Sequence, residues 1–351
     1  ACACLPTCSI PWSITCWIDV FTGYPIPATQ PSPKPKPIDV MQRLRLLVAS
    51  LLFSGSTLAA EPVTVLLDWF TNPDHAALVV AREKGYFTEQ GLDVELIEPA
   101  DPSLPPKMVA AGKADVAISY QPQLHVQVAE GLPLSRFGTL VSTPLNSLVV
   151  LADGPVDSLA ALKGRKVGFS VGGFEDALLK AMLETVSLTL DDIELINVNF
   201  SLSPALITGQ VDAVIGAYRN FELNQLDIEN HPGRAFYPEE HGVPAFDELI
   251  LIANTQSLDS PWIEPFLKAI ERATIFIINH PDEAWEIFRD SNPGVLDNEL
   301  NRRAWRDTLP RLALRPAALD RQRYLDFAAF MQSQGLIEST PELDSYTFEA
   351  G

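Results

Sequence analysis

The chain has 351 residues, 47% of them hydrophobic, with 45 acidic against 25 basic residues and a formal net charge of −20. So acidic a surface repels a polyanion, which excludes nucleic acid as an expected partner. The four cysteines fall at Cys2, Cys4, Cys8 and Cys16, so beyond residue 16 there is no thiol for a disulfide, a nucleophile or a zinc site.

The first elements in chain order belong to export rather than to folding. Met41-Gln-Arg-Leu-Arg45, the apolar run Leu46 to Gly55 and the small-residue exit Ser56-Thr-Leu-Ala-Ala60 have the three parts of a secretory signal peptide. Cleavage there starts the mature chain at Ala60 or Glu61. The apolar run is about ten residues, too short for a bilayer span, which needs about twenty. Residues 1–40, with the proline run Pro31-Ser-Pro-Lys-Pro-Lys-Pro37, precede this start methionine and read as an upstream extension that the mature protein lacks. Residues 61–351 keep 21 basic and 43 acidic residues, a net of −22, and about 290 residues suggest two domains.

Val63 to Leu67 is β-branched and apolar, the pattern of a strand buried on both faces. Its carboxyl end delivers Asp68 and Trp69. Asn72 before Pro73 fits an N-cap with proline in the first helical position, and the helix continues through Ala81 towards Gly85. Next come a strand at Asp93–Ile97, a helix over about 104–111, a strand at Asp115–Tyr120 and a helix from Gln121 to Val128. This alternation predicts a parallel sheet covered by helices. Residues 133–153 read as a connection between domains. Alternation restarts with a strand at Lys166–Ser170, the Gly172-Gly173 pair, a helix over about 174–186, a strand at Ile193–Val198, a short helix near Pro204–Thr208 and a strand at Asp212–Tyr218. Asp247–Ala253 reads as an apolar strand crossing back, and four amphipathic helices follow: Trp262–Ile278, Asp282–Arg289, Asn298–Leu309 and Ala317–Gly335.

Gly112-Lys-Ala-Asp115-Val-Ala-Ile118 and Gly209-Gln-Val-Asp212-Ala-Val-Ile215 repeat the same spacing between a short helix and a strand ending in tyrosine. The pair fits either a common helix-to-strand connector or a duplicated lobe.

Ligands of open α/β sheets gather outside the carboxyl ends of the strands, which selects Asp68, Trp69, Asn72, His75, Tyr120, Tyr218, Asn220 and Glu222. Gly172 and Gly173 lack the spacing of a dinucleotide fingerprint, and either bring backbone N–H groups to a ligand or merely make a tight turn. Glu222 fits a helix start equally well, where the dipole favours a carboxylate. No two of the five histidines have metal-ligand spacing, and neither a metal nor a cofactor is expected.

Leu67-Asp-Trp-Phe-Thr-Asn-Pro-Asp-His75, Glu83-Lys-Gly-Tyr-Phe87, Gly91-Leu-Asp-Val94 and Tyr218-Arg-Asn-Phe-Glu-Leu-Asn224 together resemble the thiamine-pyrimidine precursor binding proteins of bacterial ABC importers, from about Val63 to Gly335. The resemblance implies a type II periplasmic binding protein fold, two α/β lobes with a hinge that close on a formylaminopyrimidine or hydroxymethylpyrimidine and hand it to a membrane permease. The same family includes fungal pyrimidine synthases that use pyridoxal phosphate and iron. Those carry a Schiff-base lysine at the exit of the third strand and a cysteine-rich run before the final lobe; here the strand ends in Ser119-Tyr120, and 244–253 has no cysteine. Sulfonate and taurine binding proteins share the layout, but an anion calls for Arg, Lys or free helix N–H groups. Asp68 and Glu222 beside Trp69, Tyr120 and Tyr218 suit instead a flat heterocycle with an exocyclic amine. Arg219 is the contrary residue. The expectation is therefore a monomeric, non-enzymatic periplasmic protein with lobe 1 at 61–150 plus 248–351 and lobe 2 at 151–247.

Overall fold

A computed structural model describes residues 60–349. The upstream extension, the cysteines and the signal peptide, apart from Ala60, lie outside the described residues.

Among the described residues, ten strands form two five-stranded sheets. In the first half, β1 (Glu61–Leu66), α1 (Ala76–Glu83), α2 (Tyr86–Glu89), β2 (Leu92–Ile97), α3 (Pro105–Ala110), β3 (Val116–Ser119), α4 (Gln121–Ala129) and β4 (Leu134–Val141) follow one another. The chain then crosses to β5 (Asn146–Leu151), β6 (Lys166–Phe169), α5 (Glu175–Glu184), β7 (Glu194–Asn197), α6 (Leu202–Ile207), β8 (Ala213–Tyr218), α7 (Glu222–Ile228) and β9 (Gly233–Phe236). It returns with β10 (Leu249–Asn254) and ends in α8 (Ile263–Asn279), α9 (Pro281–Asp290), α10 (Pro293–Leu296), α11 (Glu299–Thr308) and α12 (Arg321–Ser333).

The first sheet has the order β2-β1-β3-β10-β4 and the second β7-β6-β8-β5-β9. In each, three strands are parallel, and the fourth in the order is antiparallel to both neighbours. The lobes therefore share one topology, and the repeated segments occupy equivalent places in it. Gly112 and Gly209 both sit at positive φ, +65° and +69°, as helix stops. Asp115 Oδ2 then accepts the Thr64 N–H at 2.8 Å, and Asp212 Oδ2 accepts the Lys166 N–H at 3.0 Å, each tying the incoming strand to its parallel neighbour, β3 to β1 and β8 to β6. Equivalent hydrogen bonds at equivalent places favour a duplicated lobe over a generic connector.

Residues 133–153, read as a connection, are in fact two fully formed strands. Every residue of β4 is buried, and of β5 only Leu151 is not. β4 is the edge strand of the first sheet and β5 lies between β8 and β9 in the second, yet both are covered on both faces, which removes the alternation that marks a half-exposed strand. The sheet changes between Val141 and Asn146, because Asn146 already pairs with Tyr218 of β8, so β5 stands in the second sheet ahead of residue 151. The two crossings are pinned together by Glu248, whose Oε2 accepts the N–H groups of Leu145 at 2.6 Å and Asn146 at 2.9 Å.

Candidate functional site

The carboxyl ends of β1, β3, β6 and β8 face one another across the gap between the sheets. One cavity there is lined by Asp68, Trp69, Asn72, Asp74, His75 and Tyr120 from the first lobe, and by Phe174, Glu175, Leu202, Gly216, Tyr218, Phe221 and Glu222 from the second. The free space enclosed between these side chains is about 30 Å³.

The first-lobe wall is a hydrogen-bonded unit. Asn72 is extended and caps a short 3-10 turn, Pro73–His75, with its side chain accepting the Asp74 N–H at 2.8 Å. The sequence anticipated this cap, although the α-helix proper starts at Ala76. The Asn72 N–H donates to His75 Nδ1 at 3.2 Å, so Nδ1 carries the lone pair and the ring proton lies on Nε2, which donates to Asp68 Oδ1 at 2.9 Å. Tyr120 Oη donates to Asp68 Oδ2, also at 2.9 Å. Burial, and then the Asp68 charge, push the Tyr120 hydroxyl well above its ordinary value, so it stays a donor.

Across the gap, Glu175 opens α5 and folds back so that its Oε2 accepts the Ser170 N–H at 2.8 Å. Its carboxylate lies flat against the backbone of Gly216, where φ is +94° and a Cβ would stand 2.4 Å from Oε1. Glycine is required there for space and for conformation alike. Glu222 opens α7, and its Oε2 accepts the Tyr218 N–H at 2.6 Å. Burial pushes the carboxyls up: Asp74 to about 6, Glu222 to about 7 and Glu175 to about 8, against the hydrogen bonds that pull each down.

Aromatic rings close the gap between the lobes. Tyr120 stacks on Phe174 at 4.7 Å, and Trp69 meets Phe200 edge-on at 4.7 Å. Trp69 also packs against the core of the second lobe.

Of the ten residues singled out from sequence, Asp68, Trp69, Asn72, His75, Tyr120, Tyr218 and Glu222 line the cavity together. Gly172 and Gly173 do not. The Gly173 N–H is spent on Asp176 Oδ1 at 2.7 Å, within its own turn, and it is the following Phe174 and Glu175 that reach the cavity. Asn220 lies buried behind the wall, donating to Asp74 Oδ1 at 2.7 Å and Thr308 Oγ1 at 2.8 Å. Arg219 turns away to the crossing: it grips Glu239 through both Nη atoms, donates to the carbonyls of Leu145 and Asn146, and lies 4.0 Å over the Tyr237 ring. His125 is enclosed by Tyr324, Phe327 and Tyr346, and burial lowers it to about 3. Sequence reasoning missed Asp74, Phe174, Glu175, Leu202, Gly216 and Phe221. Asp74 and Phe221 had a signal, since each stands inside a quoted motif; Glu175 and Gly216 had none, because only the fold sets them against each other.

A family model described as NMT1/THI5 like matches residues 72–284. A Haemophilus influenzae protein named for thiamine biosynthesis is 55% identical over 302 residues, 86% of this chain and 96% of that one. The chain belongs to the NMT1/THI5-like family. Within it, a formylaminopyrimidine-binding protein of Halalkalibacterium halodurans is 36% identical over 65% of this chain and 70% of its own. A 4-amino-5-hydroxymethyl-2-methylpyrimidine phosphate synthase of Aspergillus parasiticus is 29% identical over 70% and 75%. Among solved structures, the alkanesulfonate-binding protein of Xanthomonas axonopodis pv. citri superposes with a TM-score of 0.66, at 17% identity, over 83% of this chain and all of that one. The fold is thus the two-lobed periplasmic binding protein fold, with a hinge at the two crossings and a cleft between the lobes.

Relatives of both kinds, binding proteins and synthases, make the lining decisive for any cofactor. The residue at the exit of β3 is Tyr120, its hydroxyl committed to Asp68, and among the described residues no lysine lines the cavity. These residues do not fit a covalently held pyridoxal phosphate. Among the described residues no cluster of three or more His, Asp or Glu is arranged to hold a metal ion.

Proposed function

We propose that this chain is the exported solute-binding protein of an ABC importer, and that it captures an aminopyrimidine precursor of thiamine between its lobes and delivers it to a membrane permease without chemistry of its own. The observation that carries this reading is the cavity lining: four carboxyl residues, Asp68, Asp74, Glu175 and Glu222, beside five aromatic ones, Trp69, Tyr120, Phe174, Tyr218 and Phe221, with no lysine or arginine among the described lining residues. Carboxylates accept from an exocyclic amine, and ring faces suit a flat heterocycle. A sulfonate would meet four carboxyl residues and no lysine or arginine among the described lining residues, which argues against carrying over the ligand of the alkanesulfonate-binding protein that shares the fold. The relatives named for thiamine biosynthesis and for formylaminopyrimidine binding support the same ligand class. No described helix is long and apolar enough to cross a membrane, which suits a chain acting beside its permease rather than within it.

Calorimetric titration with formylaminopyrimidine and 4-amino-5-hydroxymethyl-2-methylpyrimidine, and mass spectrometry of any co-purifying small molecule, test the ligand. Incubation with pyridoxal phosphate, iron and oxygen tests the absence of chemistry: pyrimidine product would overturn the binding role, and failure of both pyrimidines to bind would overturn the ligand class.

A further inference from the structure

Asp74 is 2% exposed and lines the cavity, yet its two oxygens are treated differently. Oδ1 accepts from Asn220 Nδ2 at 2.7 Å and from Thr308 Oγ1 at 2.9 Å. Oδ2 is buried and has no hydrogen-bond partner. A buried carboxylate oxygen without a partner is costly, so a fold that keeps one beside a cavity implies a donor that arrives from elsewhere. The two groups on Oδ1 also come from different parts of the molecule. Thr308 ends α11, in the C-terminal helices, and Asn220 stands in the turn between β8 and α7 of the second lobe. Asp74 itself belongs to the first lobe. Its carboxylate is therefore oriented by a residue that reaches it only when the lobes are together. Two neighbouring contacts run the same way, Asn224 Nδ2 to Asp307 Oδ2 at 2.8 Å and Arg303 to Asp227 at 2.5 Å.

We propose that Asp74 Oδ2 accepts a hydrogen bond from the bound ligand, and that Asn220 is a positioning residue that aims the carboxylate by donating to Oδ1 across the lobes. The inference rests on the aminopyrimidine reading above and adds a specificity residue to it. Closure supplies the Asn220 hydrogen bond that turns Oδ2 towards the cavity, and the ligand supplies the donor that Oδ2 lacks. Ligand binding and closure are thus coupled at one side chain. It also explains why Asn220, which the turn after β8 places near the cleft, is buried behind the cavity wall instead of lining it.

The test is calorimetric titration of the full mature chain with 4-amino-5-hydroxymethyl-2-methylpyrimidine and with two analogues that each lack one donor, one with 5-methyl in place of 5-hydroxymethyl and one with hydrogen in place of the 4-amino group. Wild-type protein that binds none of the three refutes the ligand class, independently of Asp74. Given wild-type binding, Asp74→Asn should weaken the parent ligand by about tenfold or more, and the penalty should collapse for the analogue that lacks the donor facing Oδ2. Asn220→Ala should weaken the parent ligand less, and should cost little further when combined with Asp74→Asn. Melting curves establish that each variant folds. If Asp74→Asn does not, Asn220→Ala carries the test by the same comparison of ligands, since it leaves the carboxylate in place. Parent-ligand affinity of Asp74→Asn within twofold of wild type overturns the proposal. So does a penalty equal across all three ligands, which would make Asp74 an interlobe tie only.

Discussion

His75 Nε2 donates to Asp68 Oδ1 at 2.9 Å, both groups buried at the carboxyl end of β1. The Asn72 N–H on His75 Nδ1 fixes which nitrogen donates, so the pair is an oriented donor and acceptor rather than a floating contact. Asp68 serves Tyr120 with its other oxygen, and so holds two first-lobe side chains in place from one carboxylate. Replacing it with alanine strands the His75 Nε2–H and the Tyr120 hydroxyl together. The expected cost is roughly 2–4 kcal/mol, from two buried donors losing their acceptor. At about 2 °C per kcal/mol for a domain of this size, the melting temperature should fall by several degrees. Asp68→Asn keeps an acceptor for His75 and should cost about half as much. An alanine variant that melts with wild type would show that the pair is not holding the wall.

Glu222 offers Oε2 to the Tyr218 N–H at 2.6 Å and lines the cavity. Glu222→Gln can preserve the first contact through its amide oxygen, but turns an NH2 towards the ligand, so a donor-rich pyrimidine meets a donor. Affinity should drop about ten- to hundredfold while the melting temperature hardly moves. If Glu222 served only as a helix-start residue, the order would reverse: near-native affinity, with a stability loss of about 0.3–1 kcal/mol. Calorimetric titration alongside a thermal melt separates the two readings.

Gly216 sits at φ +94°, and an added Cβ would stand 2.4 Å from Glu175 Oε1. Gly216→Ala must expel the Glu175 carboxylate from its place or twist the end of β8. A loss of at least about 1 kcal/mol of stability is expected from the backbone conformation, with a further loss of pyrimidine affinity because both residues line the cavity. Gly216→Ala combined with Glu175→Ala should recover part of the stability, since the clash is then gone. Absence of any recovery, read by chemical denaturation, would leave backbone strain as the whole cost.

The wall built from one continuous stretch was legible in the sequence, and the wall built by long-range contact was not. Asn72, Pro73 and His75 follow local rules of helix capping, and Asp68 and Tyr120 are fixed by standing at strand ends, so short-range patterns place all of them. The duplicated Gly-to-Ile segments likewise mark equivalent strands, because a helix stop and an aspartate bond to the neighbouring strand are local devices. Glu175 becomes a cavity residue only because β8 brings Gly216 beside it, 41 positions along the chain. Asn220 meets Asp74 across 146 positions, and no local pattern carries that distance. The strands at Leu134–Val141 and Asn146–Leu151 look like a connection in the sequence because burial on both faces erases the alternation that identifies a strand.

The pH dependence of the ligand-free protein follows from carboxyls that burial makes hard to ionise. Asp74 is pushed up from 3.8 to about 6, and from 4.5 Glu222 and Glu248 rise to about 7 and Glu175 to about 8. For an acid whose folded value is raised, the native state binds more protons than the unfolded chain between the two values, so stability falls as pH rises. The contribution is fully present below about pH 4, the unfolded range for Asp and Glu. It is lost progressively as pH climbs through about 6 for Asp74 and about 8 for Glu175. The ligand-free protein should therefore melt lower at pH 8 than at pH 5. Glu175→Gln, which keeps an acceptor for the Ser170 N–H but cannot ionise, should flatten the upper part of that slope. Saturating aminopyrimidine should flatten it too, because ligand donors stabilise the ionised carboxylates. Melting temperatures at half-unit steps from pH 5 to 8, for wild type with and without ligand and for Glu175→Gln, provide the comparison. A ligand-free wild type whose stability rises across that range would show that these carboxyls are ionised at no cost, and that the cavity is wetter than its geometry implies.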